Sequence, residues 1–288
     1  MLTKEQFHQK IAAGLRLLDG ATGSNLRNAG MPKACCAEAW ILEHPEPLVT
    51  LQRAYAQAGS QILYAPTFQA QPIALAADGL AKQTEAVNEA LVSLSRSAAP
   101  GCLIAGDLTT LAAFCDSWNP DNFDLLVENY RRQIKGLLSG GVDLLVGETL
   151  LYPQEAEAIL CAAELEGAET VMYSFTMQGD GSLFSGADAA KVLRELEEAG
   201  AAAVGFNCVA ADMMTPYLVS RLRRSVKGPL LCKPNAGIPT ISEDGQAVYS
   251  QTPEAFSAIL SQCVQNGATL IGGCCGTDPD FLKALKHL

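Results

Sequence analysis

Ile271-Gly272-Gly273-Cys274-Cys275-Gly276-Thr277 follows the last short apolar run of the chain, Thr269-Leu270-Ile271, with two glycines, two adjacent thiols and a third glycine. A run that short and that apolar reads as a strand buried on both faces, as strands of parallel sheets are. An earlier run ends in the same way, Ala203-Val204-Gly205-Phe206-Asn207-Cys208. Three thiols on the ends of two strands suit a soft divalent metal, above all zinc with one coordination position left open. A zinc held by three sulfurs is a poor activator of water and a good carrier of another thiolate, so the stretch points to sulfur chemistry.

Working outward, the same kind of run recurs at Leu15–Leu18, Gln61–Ala65, Cys102–Ala105, Asp143–Val146, Thr170–Phe175, Ala202–Phe206 and Pro229–Cys232. Between these runs lie helical patterns at Pro47–Ala58, Leu80–Ala98, Asn122–Leu138, Pro153–Glu166, Ala187–Ala199, Asp212–Val226 and Pro253–Asn266, and Asp278–Leu288 closes the series. Pro153 and Thr252-Pro253-Glu254 are helix-start signals. Gly59, Gly140, Gly167, Gly200 and Gly267 fall where helices should stop. An alternation of eight strands and eight helices predicts a (β/α)8 barrel, an α/β fold of the TIM type. Residues 1–288 then form a single barrel domain, with an extra N-terminal helix at Thr3–Ala13 covering the bottom. An open doubly wound sheet is the alternative architecture. No linker or low-complexity segment marks a second domain.

Composition bounds the partners. The 288 residues are 49% hydrophobic and carry a formal net charge of -11, enough apolar content for a large core and the wrong sign for nucleic acid or an anionic membrane surface. No run of about 18 apolar residues is present, and Met1 to Gly20 lacks a signal-peptide pattern, so a cytoplasmic protein is expected. Its ten cysteines then read as thiols, metal ligands or small core residues rather than disulfides.

Barrel chemistry collects where strands run out into the following loops. Those positions carry Asp19, Thr67, Asp107, Glu148, Thr176, Cys208, Asn235 and the pair Cys274 and Cys275. Any one of them has a plain structural explanation; Asp19-Gly20 is a turn signal and Asn235 can cap a loop. The coincidence of all of them at strand ends does not. Cys35-Cys36 is also a vicinal pair, but in a loop region. Cys161 and Cys263 lie in helical patterns, and Cys102 and Cys232 within strands, as core residues would; Cys115 fits either description. His8, His44 and His287, the only histidines, fall outside the strand ends, against a histidine triad or an all-histidine zinc site. Phosphate-binding glycine loops are absent as well.

Asp19-Gly20-Ala21-Thr22-Gly23, Thr67-Phe68, Gly147-Glu148-Thr149, Gly205-Phe206-Asn207-Cys208, Pro234-Asn235-Ala236-Gly237-Ile238-Pro239 and Gly272-Gly273-Cys274-Cys275-Gly276-Thr277 together resemble the homocysteine S-methyltransferase family. The motifs come in the expected order over the whole chain. The resemblance implies a zinc barrel that methylates homocysteine to methionine, with Cys208, Cys274 and Cys275 acting through zinc. Three thiolates would leave the ion with a net charge of about -1, and a homocysteine thiolate would make it about -2, which keeps that sulfur nucleophilic. The resemblance further implies that Asp19 and Glu148 hold the substrate's ammonium. Backbone N–H groups of Gly20, Ala21, Thr22 and Gly23 would take its carboxylate. Asn235 would fill zinc's fourth position until homocysteine arrives. Two departures lie at the barrel mouth: Pro66-Thr67-Phe68 where many members have Asn-Thr-Phe, and Gly106-Asp107 where they begin Gly-Pro.

The wording of the motifs is closer to the cobalamin-dependent branch, the homocysteine-binding domain of methionine synthase. Methylcobalamin is therefore the expected donor, and with no Asp-x-His-x-x-Gly corrinoid-ligand motif in the chain it would arrive free or on a separate corrinoid protein. S-methylmethionine, S-adenosylmethionine or betaine are the alternative donors, which an aromatic cage drawn from Trp40, Phe68, Trp118, Tyr152 and Tyr249 would favour. A barrel whose zinc is only structural is the reading from a different class.

Overall fold

The computed structural model describes residues 1–14, 16–242 and 247–288. Leu15 of the first predicted strand and residues 243–246 of the loop after Asn235 lie outside them. The strands are β1 (Ile62–Tyr64), β2 (Leu103–Thr109), β3 (Leu144–Leu150), β4 (Val171–Phe175), β5 (Ala203–Ala210) and β6 (Leu230–Asn235), followed by a two-stranded antiparallel hairpin, β7 (Thr240–Ile241) and β8 (Ala247–Val248), and by β9 (Leu270–Ile271). Seven of them form one curled parallel sheet in the order β1-β2-β3-β4-β5-β6-β9.

The predicted first strand, Leu15–Leu18, is reduced to an extended segment that joins the two edges. Leu17 bridges Ile271 in parallel, with Leu18 N donating to Ile271 O at 2.8 Å and Ile271 N to Arg16 O at 2.9 Å. On its other side Gln61 N donates to Leu17 O at 2.7 Å. A regular ladder does not form because the Gln61 side chain takes part of its place: Oε1 accepts from Arg16 N at 2.8 Å and from Leu17 N at 3.1 Å. The chain has the (β/α)8-type barrel fold, with the sheet closed through this segment.

The two-residue period of the strands sorts their side chains between two cores. Leu18, Ile62, Ala105, Leu144, Val146, Met172, Ala203, Leu231 and Leu270 are buried together inside the ring. Their neighbours Leu17, Leu63, Ile104, Leu145, Val204, Leu230 and Ile271 are buried outside, against the helices. The N-terminal helix Lys4–Ala12 plugs the lower end as expected: Phe7 is fully buried in the inner core, and His8 Nε2 lies 2.8 Å from Ala202 O. A Thr3–Gln6 capping box begins that helix.

Helix boundaries differ from the periodic reading where turns intervene. The helix expected from Leu80 starts at Thr84, after short 3-10 turns at Ala76–Asp78 and Ala81–Gln83, and the one expected from Asp212 spans Thr215–Arg223. Two short helices, Gly23–Asn28 and Ala37–Glu43, occupy a stretch with no predicted element. Among the described residues, no helix is long and apolar enough to cross a membrane.

Candidate active site

Carrying the inward period one step up each strand replaces the apolar layer with a polar one. Tyr64 of β1, Asp107 of β2, Glu148 of β3, Ser174 of β4, Asn207 of β5 and Lys233 of β6 all follow inward apolar or small residues, and all are buried. Asp19, just past the closing segment, joins them; its Oδ2 accepts from Tyr64 N at 2.8 Å.

Beside this layer the three predicted thiols converge. The Sγ atoms of Cys208, Cys274 and Cys275 lie within 4.8 Å of one another, and Cys208 and Cys275 are 3.9 Å apart. Two sulfurs on one tetrahedral zinc, at bonds of about 2.3 Å, stand roughly 3.8 Å apart, so the spacing fits that ion. The carbonyl-rich exit of β9 is held on several sides. Gly273 N donates to Asp19 O at 3.0 Å, Cys274 N to Pro234 O at 2.7 Å, and Ala236 N to Cys275 O at 3.0 Å. Gly272 is needed for that approach, because a Cβ there would sit 2.7 Å from Asp19 O and 2.8 Å from Leu18 Cβ. Gly276 takes φ +82° with the Tyr249 ring packed on it, and the Tyr249 hydroxyl reaches the Cys275 sulfur. Hydrogen bonds from Cys208 and Cys274 pull the Cys275 thiol down, while contacts with Cys274 and Cys275 push Cys208 up.

Two bulges set these side chains. Among the described residues, Cys208 (φ 56°) and Thr149 (φ 57°) are the non-glycine residues in the left-handed region, an uncommon conformation and a strained one for β-branched Thr149. They sit where the register shifts, between Asn207 and Ala210 in β5 and between Gly147 and Leu150 in β3. Asn207, fully buried, ties the two together. Its Oδ1 accepts from Thr149 N (2.9 Å) and Ser174 Oγ (2.6 Å), while Nδ2 donates to Thr149 Oγ1 (2.7 Å) and points to Cys274 Sγ at 3.8 Å. It therefore orients one thiol directly and another through the bulge.

Asp19 and Glu148, expected to face a substrate ammonium, already share one from the protein. Lys233 Nζ lies 3.2 Å from Asp19 Oδ1 and 3.1 Å from Glu148 Oε1, and 4.3 Å from the Tyr64 ring centroid. Burial works against the lysine's charge, but Glu148 and Asp19 outweigh it, so its pKa rises and it keeps its proton. Burial raises Glu148 to about 7 against the pull of Lys233, and raises Asp19 against the same pull. Burial, then the charge of Glu148, hold Asp107 well above the usual carboxylate range. Asn235 is buried with its Oδ1 unpartnered, on the strand end whose next residue bonds Cys275. At the Asp19–Gly23 turn, Ala21 N already donates to Thr277 Oγ1 at 3.2 Å. Gly20 is packed under Tyr55, Thr22 precedes the helix Gly23–Asn28, and that helix begins at Gly23.

The other cysteines separate as their patterns indicated. Cys232 and Cys263 are buried in the outer core; Cys35 is exposed and Cys36 begins the helix at Ala37, away from the three-thiol cluster. Lys233 and Asn207 were not singled out by sequence as site residues. The predicted strand stopped at Cys232; two-residue alternation from Leu231 was the signal that points Lys233 inward. Asn207 carried no signal beyond its place beside Cys208.

A parallel barrel with three converging thiols and buried acids at its mouth defines a barrel protein with a thiolate metal centre. The chain belongs to the homocysteine S-methyltransferase family, whose model matches residues 16–288. It is similar over 98% of its length, and 99% of the other chain, to the metallated form of the Escherichia coli homocysteine methyltransferase MmuM, with 27% identity and a TM-score of 0.83. The apo form of that enzyme matches 95% of each chain at 26% identity and a TM-score of 0.74. The carboxyl transferase domain of Rhizobium etli pyruvate carboxylase shares the fold alone, at 16% identity and a TM-score of 0.56, over 99% of this chain and 49% of that one.

Proposed function

We propose that this protein transfers a methyl group to the sulfur of homocysteine, forming methionine, with a zinc ion held by Cys208, Cys274 and Cys275. The observation that carries the reading is the meeting of three thiols within 4.8 Å beside a buried acidic layer. Zinc bound there would supply Lewis acidity that makes the acceptor thiol a thiolate near neutral pH. Asn235 Oδ1, buried and unpartnered, is the donor available to the fourth position before substrate binds. Among the described residues only three thiols converge, which favours this over a purely structural metal with four protein sulfurs.

The chain's own groups bind and orient. The acidic layer of Asp19, Asp107 and Glu148 receives the substrate's ammonium, and the turn at Gly20, Ala21, Thr22 and Gly23, which begins at Asp19, is offered for the carboxylate. The sulfur, its proton already lost to solvent, attacks the methyl carbon in line. The new S–C bond forms as the bond to the donor breaks, and the electron pair leaves with the donor. No histidine is called on; His8 is engaged with Ala202 and His44 with Trp40.

The donor proposed is methylcobalamin, free or on a separate corrinoid protein. Met213, Met214 and Ile238, exposed on the loops after β5 and β6, give the mouth an apolar rim for a large partner. A sulfonium or quaternary ammonium donor is the second reading. It draws on the tilted pair of Trp118 and Tyr152, with centroids 5.6 Å apart, since such faces attract cations. Methionine formation from homocysteine by the zinc-loaded chain, with methylcobalamin, S-methylmethionine, S-adenosylmethionine and betaine compared, tests both. No product with any donor, or equal product after zinc removal, overturns the proposal.

A further inference from the structure

The acidic layer holds three carboxylates, Asp19, Asp107 and Glu148, and one cation, Lys233, all buried. The lysine is not shared evenly. Asp19 accepts from Tyr64 N through Oδ2 at 2.8 Å, and its Oδ1, without a hydrogen bond, is ion-paired with Lys233 Nζ at 3.2 Å. Glu148 contributes Oε1 to the lysine at 3.1 Å. Asp107 contributes nothing: its Oδ1 is buried without a hydrogen-bond partner. Its backbone is fixed all the same, since Asp107 N and O both pair with Thr67 Oγ1 (3.1 and 2.9 Å) and Gln133 Nε2 donates to Asp107 O at 3.0 Å. A rigidly held carboxyl, buried and unpaired beside that ion triad, carries its charge only at a cost unless something cationic arrives to meet it.

Resting on the acceptor reading above, we infer that Asp107 is the residue that receives the α-ammonium of the thiol substrate, because Lys233 has already taken the place between Asp19 and Glu148. The arithmetic of charge supports the assignment. When ionised, Asp19 and Glu148 exceed Lys233 by one negative charge, and Asp107, whose charge burial and Glu148 disfavour, raises the excess to two on ionising. One incoming ammonium restores the smaller excess. A thiol without an amine would leave Asp107 unmatched. Lys233 and Asp107 therefore act as a pair: the lysine fills a seat and the aspartate builds another.

The test uses the full-length zinc-loaded chain and isothermal titration with two probes, L-homocysteine and 4-mercaptobutanoate, which is the same thiol acid without the amine. Wild type should bind homocysteine at least tenfold more tightly. Asp107→Asn, which keeps the volume, should weaken homocysteine by about tenfold or more and change 4-mercaptobutanoate by less than about twofold. Its thermal midpoint without ligand should match or exceed that of wild type, because the carboxylate makes no bond in the free protein. Equal weakening of both probes, unchanged homocysteine binding, or a midpoint well below wild type marks Asp107 as structural and overturns the assignment. Equal binding of the two probes by wild type overturns it too, yet leaves the acceptor reading standing. If neither thiol binds, the acceptor reading falls and takes the assignment with it.

Discussion

Asn207→Ala is the sharpest test of how the thiols are held. In the free protein the amide makes three short hydrogen bonds, to Thr149 N, Ser174 Oγ and Thr149 Oγ1, and a long one to Cys274 Sγ. The two hydroxyls can turn toward other partners, so each lost bond there costs about 0.5–1.5 kcal/mol. The Thr149 N–H cannot turn, and leaving it unpaired costs about 1–3 kcal/mol, at the low end because Thr149 is only half-buried. The sum is about 2–4 kcal/mol, a large part of the roughly 5–15 kcal/mol that holds a domain together but not all of it. Urea unfolding of the zinc-free protein measures it.

The same substitution should weaken zinc binding by about 10–100-fold, the usual effect of losing a group that orients a ligand. Competition with a chelator of known affinity reads that out. Ser174→Ala, which removes one bond of the set and leaves both bulges tied, should cost only about 1 kcal/mol and leave zinc affinity within a few-fold. A loss below about 1 kcal/mol for Asn207→Ala, with zinc affinity unchanged, would refute the claim that this amide holds the bulges at Thr149 and Cys208.

Three further outcomes are expected. Cys208→Ser and Cys275→Ser should each abolish stoichiometric zinc while the barrel stays folded, and Cys35→Ser with Cys36→Ser should retain it; metal analysis with circular dichroism decides. Glu148→Gln, which loosens Lys233 and lets its charge compete with the ammonium, should reduce homocysteine affinity by about 1.5–3 kcal/mol with zinc content intact, and normal affinity would make Glu148 structural. Glu148 also predicts a pH trend in the zinc-free protein. Its carboxyl binds a proton more tightly folded (about 7) than unfolded (4.5), so the folded state holds more protons in that window and stability falls as pH rises through it. The fall due to this group is up to about 3 kcal/mol. Unfolding at pH 5 and 7.5 should show a flatter trend for Glu148→Gln, and parallel trends would count against it.

The barrel was legible because its signals are local. Short runs buried on both faces leave no alternation to misread, and helix stops at Gly59 and Gly167 are left-handed caps in the fold. What escaped was set by tertiary competition. Gln61's side chain replaced ladder bonds at Arg16 and Leu17, so the first strand shrank to a bridge, and nothing in Leu15–Leu18 itself records that. The helices at Gly23–Asn28 and Ala37–Glu43 are too short to show a period, and their buried Leu26 and Ile41 find partners only in the folded layer of Leu48, Leu75 and Leu91.

The site divides along the same line. Three thiols at two strand ends could be found by residue type and position, because sulfur pairs beside glycine have few other uses. The electrostatics could not, because they depend on which side chains face one another across the ring. Asp19, Glu148 and Lys233 are separated by more than a hundred residues from end to end, and only the shared inward phase of the closing segment, β3 and β6 brings them within 3.2 Å. A strand read as ending at Cys232 hides the lysine; the same strand extended one period exposes it. Once Lys233 is in place, Asp107 changes from an oddity at a strand end into a buried carboxyl whose Oδ1 has no hydrogen-bond partner, while Asp19 and Glu148 are ion-paired with the lysine. The charge balance of the mouth is thus a property of pairs of positions, and a substrate's amine is recognised by what the resident lysine leaves over.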